Sequence, residues 1–204
     1  MSKKLPYLEK LESFSRPTAL GFSAVLHSYK HDGVVLFALA KGNVCQDDVH
    51  VRIQSPCLFG ESFGVNSCDC GAQLSQALQA AATAEAFLLI YLSDQEGRGH
   101  GVETKLRAVE KEANLGLSMP DAFRALNLEF DKRSYGTAAA IIKDLVGNHS
   151  ICLLTNNPKK VEGLEDFGIE AKRIAHVVDN PTDECRRYLR SKRDELGHLL
   201  PADL

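Results

Sequence analysis

The stretch R-I-Q-S-P-C-L-F-G-E-S-F-G-V-N-S-C-D-C-G-A-Q-L, Arg52 to Leu74, carries Cys57, Cys68 and Cys70 in a Cys-x10-Cys-x-Cys spacing. The residues ahead of Cys57 read as a strand. Those after Cys70 read as a helix, because Leu74, Ala77, Leu78 and Ala81 recur at helical spacing. Three thiolates gathered at such a junction can hold Zn2+ and leave its fourth tetrahedral position free for water, which is the arrangement of a catalytic site. That open position implies hydrolysis. Two other readings remain: a closed structural zinc completed by His50 or His100, or reduced, buried cysteines with no metal.

Outward from this stretch, the first half is strand-rich. G-F-S-A-V-L-H-S-Y, G-V-V-L-F-A-L-A and H-V-R-I-Q-S are short and β-branched or aromatic, and they read as a meander whose last strand delivers Cys57. A-F-L-L-I-Y-L is a buried strand, followed by a helix from about Gly101 to Ala113. Ser118 suits the N-cap of a short helix, S-M-P-D-A-F-R-A-L. A helix over S-Y-G-T-A-A-A-I-I-K-D-L-V stops at Gly147 and feeds the strand S-I-C-L-L-T-N. The helix after N-N-P ends near Gly168, a strand runs through I-A-H-V-V, and a charged helix, R-R-Y-L-R-S-K-R-D-E-L, closes the chain. The expected class is α+β with an α/β-type mixed sheet.

The 204 residues suffice for a core without disulfide staples, and six cysteines are too few for a dense disulfide framework. The opening M-S-K-K-L-P-Y-L-E-K-L-E-S is too polar for a secretory leader, and no apolar run approaches a membrane span. A cytoplasmic protein is expected. The net charge of −3 is nearly balanced and gives no sign of a nucleic-acid-binding face. Residues 1–16 read as an N-terminal extension and 17–204 as a single domain.

Two loops look built for anions. Q-E-G-R-G-H-G, Gln95 to Gly101, leaves a buried strand and enters a helix, with glycines that let backbone amides approach a ligand and Arg98 as a forked cation. T-N-N-P-K-K, Thr155 to Lys160, occupies a second strand-to-helix junction, with Pro158 suited to the first helical turn. Combined with a three-cysteine site, they point to a zinc enzyme acting on a phosphorylated substrate.

The cysteine run, Y-L-S-D-Q-E-G-R-G, D-K-R-S-Y-G, L-L-T-N-N-P-K-K-V-E and the closing Y-L-R-S-K-R-D-E-L-G-H-L-L stand in the order found in GTP cyclohydrolase II. The chain resembles that family from about Pro17 to Leu200. The resemblance implies its fold and its reaction: two hydrolyses at C8 open the imidazole ring of GTP and release formate and pyrophosphate. The product is a diaminopyrimidinone ribosylamine phosphate, the first committed precursor of riboflavin. It further implies one zinc per chain, Mg2+ on the triphosphate and a homodimer. By family match, Cys57, Cys68 and Cys70 hold the metal, and Arg52, Gln73, Glu96, Gly97, Arg98, Thr155 and Lys160 contact the nucleotide. Asp131 is the proton acceptor and Arg133 the nucleophile toward the α-phosphate. A guanidinium has no free lone pair to offer, so charge stabilisation is the physically easier role for Arg133. From the residues alone, Asp131 also reads as a helix cap.

Several positions depart from the family pattern. Gln54 and Pro56 stand where R-x-H-S-E-C is usual, Val109 where K-x-R-A-Y has its tyrosine, Met119 and Phe123 within the D-T-x-x-A-N segment, and Ser134 in place of Asp. His100 and Glu103 replace common aliphatic residues. These changes keep two alternatives alongside ring opening: a divergent paralogue that stops at the formylated intermediate or takes another nucleotide, and a non-catalytic nucleotide-binding regulator.

Overall fold

The structure, a computed structural model, describes residues 2–203. Its strands are β1 (Glu9–Pro17), β2 (Ser23–His31), β3 (Val34–Lys41), β4 (Val49–Gln54), β5 (Phe87–Tyr91), β6 (Ile151–Leu154) and β7 (Ala171–Ile174). The helices are α1 (Leu58–Ser62), α2 (Cys70–Thr83), α3 (Gly101–Leu115), α4 (Met119–Ala125), α5 (Gly136–Leu145), α6 (Pro158–Glu165) and α7 (Asp183–Leu196). All seven strands share one sheet in the order β1-β2-β3-β5-β4-β6-β7. The β1-β2-β3-β5 neighbours are antiparallel, and the β5-β4-β6-β7 neighbours are parallel. The α+β class with a mixed sheet is as expected.

The strand pattern expected from the sequence needs three corrections. β4 does not continue a meander, because β5 lies between it and β3. β4 is buried along nearly its whole length, so it needs a paired neighbour on each edge, and β5 and β6 supply them. The last strand is A-K-R-I rather than I-A-H-V-V. Beyond Ile174 the Asn156 side chain takes over from the ladder, accepting from the His176 amide at 2.9 Å and donating to its carbonyl at 2.6 Å. β1 was not anticipated. Every residue along it is exposed, so its sequence carries no alternation, and it exists through pairing with β2.

Side-chain alternation divides the sheet into two cores. On one face Val49, Val51 and Ile53 of β4 join Leu88 and Ile90 of β5 and the Ala138, Ala139, Ile141 and Ile142 face of α5. On the other, Phe87 and Leu89 pack against Ala77 and Ala81 of α2. A small third cluster ties Ala108 of α3 to Ala122 and Phe123 of α4. The parallel strands β4, β5 and β6 end at one edge of the sheet, where an α/β arrangement leaves a crevice. Cys57, the Ser93–Gly99 3-10 turn and Thr155 follow directly from those ends.

Two glycines set how closely α1 approaches α2. A Cβ on Gly71 would lie 2.2 Å from the Gly60 carbonyl oxygen, and one on Gly60 would lie 3.2 Å from the Cys68 sulfur. The bare backbones therefore bring the N-cap of α1, Cys57, against the first residue of α2, Cys70. Alanine at position 71 gains about 1 kcal/mol of helix propensity but forces the two backbones apart, an overpacking cost of about 1–3 kcal/mol. Gly71→Ala is expected to lower the urea midpoint and weaken metal retention together, as measured by denaturation and metal content.

Candidate metal and nucleotide site

The three cysteine sulfurs lie within 4.8 Å of one another, with Cys57 and Cys68 3.8 Å apart. A tetrahedral zinc with bonds of about 2.3 Å holds its sulfurs about 3.8 Å apart, so the trio fits that ion. Among the described residues no histidine or carboxylate joins the group. His100 lies against Phe123, and its Nε2 bonds the Glu129 carbonyl, while His50 stays in the β4 ladder. Neither histidine completes a closed site. The Cys68 and Cys70 thiols, and then the Lys105 ammonium 3.0 Å from Cys57 Sγ, hold the Cys57 thiol well below its ordinary range. Hydrogen bonding within the trio pushes Cys68 and Cys70 up.

A buried hydrogen-bond chain surrounds the sulfurs. Alternation along β4 turns Arg52 and Gln54 away from the Val51 core. Arg52 donates to Gln54 Oε1 at 2.8 and 3.0 Å and to Gln73 Oε1 at 2.7 Å. Gln54 passes its own amide to Glu61 at 2.6 Å, and Glu61 also accepts from the Tyr91 hydroxyl and the Cys57 amide. At the other end Gln73 donates to Asp69, which lies between two cysteines of the trio and is 1% exposed. Burial lowers the Arg52 pKa to about 10, and the buried His176 ring, donating to the Gln73 carbonyl, falls to about 4 for the same reason.

A cavity of about 910 Å³ opens beside the sulfurs, a volume suited to one nucleotide. Of the residues singled out from the sequence, Arg52, Cys57, Cys68, Cys70, Gln73, Gly97, Arg98, Arg133, Thr155 and Lys160 line it. Glu96 and Asp131 do not. Glu96 takes Lys105 at 2.6 Å and the Leu58 amide at 2.9 Å, so it fixes the cation facing Cys57. Asp131 is bound by Arg133 through two side-chain bonds of 2.6 and 2.8 Å and pairs with Arg98 at 3.5 Å. Burial opposes the charge of Asp131, but Arg133 outweighs it and holds the carboxyl below its usual range. Asp131 is not a helix cap: Tyr135 occupies the N-cap of α5.

The two anion loops have the expected form. Gly97, Arg98 and Gly99 all have positive φ, and Arg98 stacks 4.0 Å from the Phe130 ring centroid. Asn157 caps α6 ahead of Pro158, and Lys160 reaches back to the Ile53 carbonyl at 2.7 Å. Burial, followed by Arg52, Arg133 and Lys192, lowers the Lys160 pKa well below its ordinary value. Seven Lys and Arg residues but only two Glu line the cavity, so its surface is cationic, although Glu96, Asp69 and Asp131 behind the wall pair with four of the seven.

The sequence reading passed over Lys105, Asp69 and the whole contribution of α7. Lys105 carried a signal, since it follows the Gln95–Gly101 loop by one helical turn. Lys192 carried none: its partner is Asp69, 2.5 Å away in space and 123 residues away in sequence. Burial opposes the Lys192 charge, but Asp69 more than compensates and raises its pKa. Removing one partner of such a pair strands a buried charge, at a cost of about 3–5 kcal/mol. Lys192→Met is therefore expected to lose most of that amount in a urea titration, and Lys192→Met combined with Asp69→Asn to recover part of it.

The family model described as GTP cyclohydrolase II matches residues 9–175. Over 195 residues the chain is 39% identical to GTP cyclohydrolase-2 of Streptomyces coelicolor, covering 95% of this chain and 87% of that protein. It is 37% identical over 203 residues to the monofunctional riboflavin biosynthesis protein RIBA 3, chloroplastic, of Arabidopsis thaliana, covering 98% of this chain but 40% of that longer one. The crystal structure of RibBX, a two-domain 3,4-dihydroxy-2-butanone 4-phosphate synthase from A. baumannii, aligns with a TM-score of 0.46 at 17% identity, over 83% of this chain and 40% of that one. With the family matched across most of its length and a relative this similar over nearly all of it, the chain belongs to the GTP cyclohydrolase II family of enzymes.

Proposed function

We propose that the chain hydrolyses GTP at C8 of the guanine base, opens the imidazole ring, and releases formate and pyrophosphate, supplying the diaminopyrimidinone phosphate for riboflavin synthesis. The observation that carries this reading is the single cavity shared by the three-sulfur centre and the cations of both anion loops. Residues 17–204 form the catalytic domain in this reading, with β1 of the preceding extension adding an edge strand to its sheet. The proposed compartment is the cytoplasm, where thiolate ligands stay reduced. No helix among the described residues is long and apolar enough to cross a membrane.

Cys57, Cys68 and Cys70 are the proposed ligands of one zinc ion, which supplies an activated water at neutral pH. Three thiolates on a divalent ion leave a net negative centre, and Lys105, already 3.0 Å from Cys57, offsets it. Lys160, Arg98 and Arg133 are assigned to the triphosphate together with Mg2+, with Thr155 and Gly97 beside them and Arg52 and Gln73 at the metal end. Arg133, gripped by Asp131, stabilises charge at the α-phosphate, and Asp131 holds that guanidinium in place. Asp131 acts as proton acceptor only if its bonds to Arg133 part, and Glu96 meets the guanine edge only if Lys105 and the Leu58 amide release it. The enzyme is proposed to be a homodimer; Phe63, 69% exposed, and Leu106, 52% exposed, offer apolar surface for such an interface.

The test is to incubate zinc-loaded protein with GTP and identify the products by mass. Formate and pyrophosphate are expected, and Cys57→Ser, Cys68→Ser and Cys70→Ser are each expected to lose both zinc and formate release. Full turnover in a zinc-free variant would sink the assignment.

A paralogue that stops at the formylated intermediate is favoured by one observation: Val109, Met119 and Phe123 all line the cavity, so no hydroxyl stands where the family pattern has its tyrosine. A positioned proton donor commonly contributes about 10²–10⁴-fold. If this wall limits the second hydrolysis, Val109→Tyr is expected to raise the ratio of formate to pyrophosphate. Equal yields of both products from the unmodified protein would remove the case for this second reading.

A further inference from the structure

Helix α7 lies beyond the residues matched by the family model, yet it forms one side of the cavity. Arg187, Tyr188, Ser191 and Lys192 all line the cavity, as does Glu184. The helix is built to stay there. Thr182 caps it and also donates to the Asn66 carbonyl, in the loop leading to Cys68. Leu189 and Cys185 are buried, Lys192 is locked to Asp69, and just past the helix the Leu199 amide donates to the Asn156 carbonyl.

Two polar groups on this helix lack protein partners. Among the described residues, the Tyr188 hydroxyl makes no hydrogen bond and the exposed Arg187 guanidinium makes neither an ion pair nor a hydrogen bond. The Tyr188 ring lies 4.5 Å from the Lys192 ammonium and within the field of Arg98. Burial pushes the phenol's pKa up, so at neutral pH it keeps its proton and can donate it in a hydrogen bond. Water reaches this hydroxyl, which is not one of the buried polar atoms without a partner, and its place beside cations at the cavity suits it to donate to an anion's oxygen.

We propose that α7 is a third phosphate-binding element, in which the Tyr188 hydroxyl and the Arg187 guanidinium contact the triphosphate opposite the Arg98 and Lys160 loops. This rests on the nucleotide reading of the cavity, but it concerns the phosphates alone. Two strand-to-helix loops hold the chain of phosphates from the sheet edge, and the helix closes over it from the other side. The Lys192–Asp69 pair ties that closure to the segment bearing Cys68 and Cys70.

Inorganic tripolyphosphate is the probe, because its binding requires neither guanine recognition nor turnover, and formate release from GTP tests the nucleotide reading separately. Calorimetry on the full zinc-loaded chain is expected to show tripolyphosphate binding. That binding should weaken about 3- to 10-fold in Tyr188→Phe, which removes one oxygen, and by a similar factor in Arg187→Ala, with a shallower salt dependence in the latter. Arg187 is exposed, so its variant folds whatever the role of Tyr188 in packing. Unchanged affinity in both variants, or no measurable tripolyphosphate binding by the unmodified protein, overturns the proposal.

Discussion

The structure of the site depends on the neutralisation of one carboxylate. Asp69 lies between two cysteines of the trio, is almost wholly inaccessible to water, and would not stay ionised there without a partner. Lys192 supplies the charge and Gln73 the second hydrogen bond. From Gln73 the contacts continue through Arg52, Gln54 and Glu61 to Tyr91, so one connected network runs from α7, past the sulfurs, to the end of β5. A half-satisfied network of this kind is worse than an apolar one, which is why each member has its polar atoms matched. The cysteines are thereby held in place by residues outside the trio, the kind of outer support that metal sites generally require.

The same network explains the charge of the cavity. Arg52, Arg133, Lys160 and Lys192 crowd one another, and this crowding, after burial, is what depresses Lys160. Asp69 and Asp131 neutralise some of that charge from behind the wall, since neither lines the cavity. The front is left cationic and the cysteine end thiolate-rich. A nucleoside triphosphate, proposed above as the substrate, would meet both, with several negative charges at one end and an electrophilic atom at the other.

What could be read in the sequence was local. The thiol spacing, the Asn157 cap with Pro158, and the Ser118 cap, whose hydroxyl accepts from the Asp121 amide, each depend on neighbours a few residues away. The pairings that position the site are not local. β5 is inserted beside β3, Asn156 ends the β7 ladder through its side chain, and Lys192 finds Asp69 across 123 residues, all decided by packing. The polar, exposed β1 shows the limit of periodicity: an edge strand open on both faces has no reason to alternate. The placement of Asp131 and Glu96 behind the cavity wall was equally invisible, because a motif records which residues occur and not which way they turn.

The departures at Gln54 and Val109 differ in physical consequence. Gln54 accepts two bonds from Arg52 with its oxygen and donates one to Glu61 with its nitrogen, so an amide at this position serves two partners of opposite need. An imidazole in its place has one acceptor at most and would have to reach both partners with a rigid ring. The substitution therefore fits a network tuned around it, and the three-sulfur centre stays supported. Val109 itself brings no proton, nor do Met119 and Phe123, whereas Glu112, one turn further along α3, lines the same cavity with its carboxyl pushed up by burial. His100 and Tyr135 do not line the cavity, and His100 is spent on the Glu129 carbonyl. The divergence of this chain thus leaves the three sulfurs and the cationic lining in place and falls on the wall around Val109, where the proposed proton transfers at the base would occur.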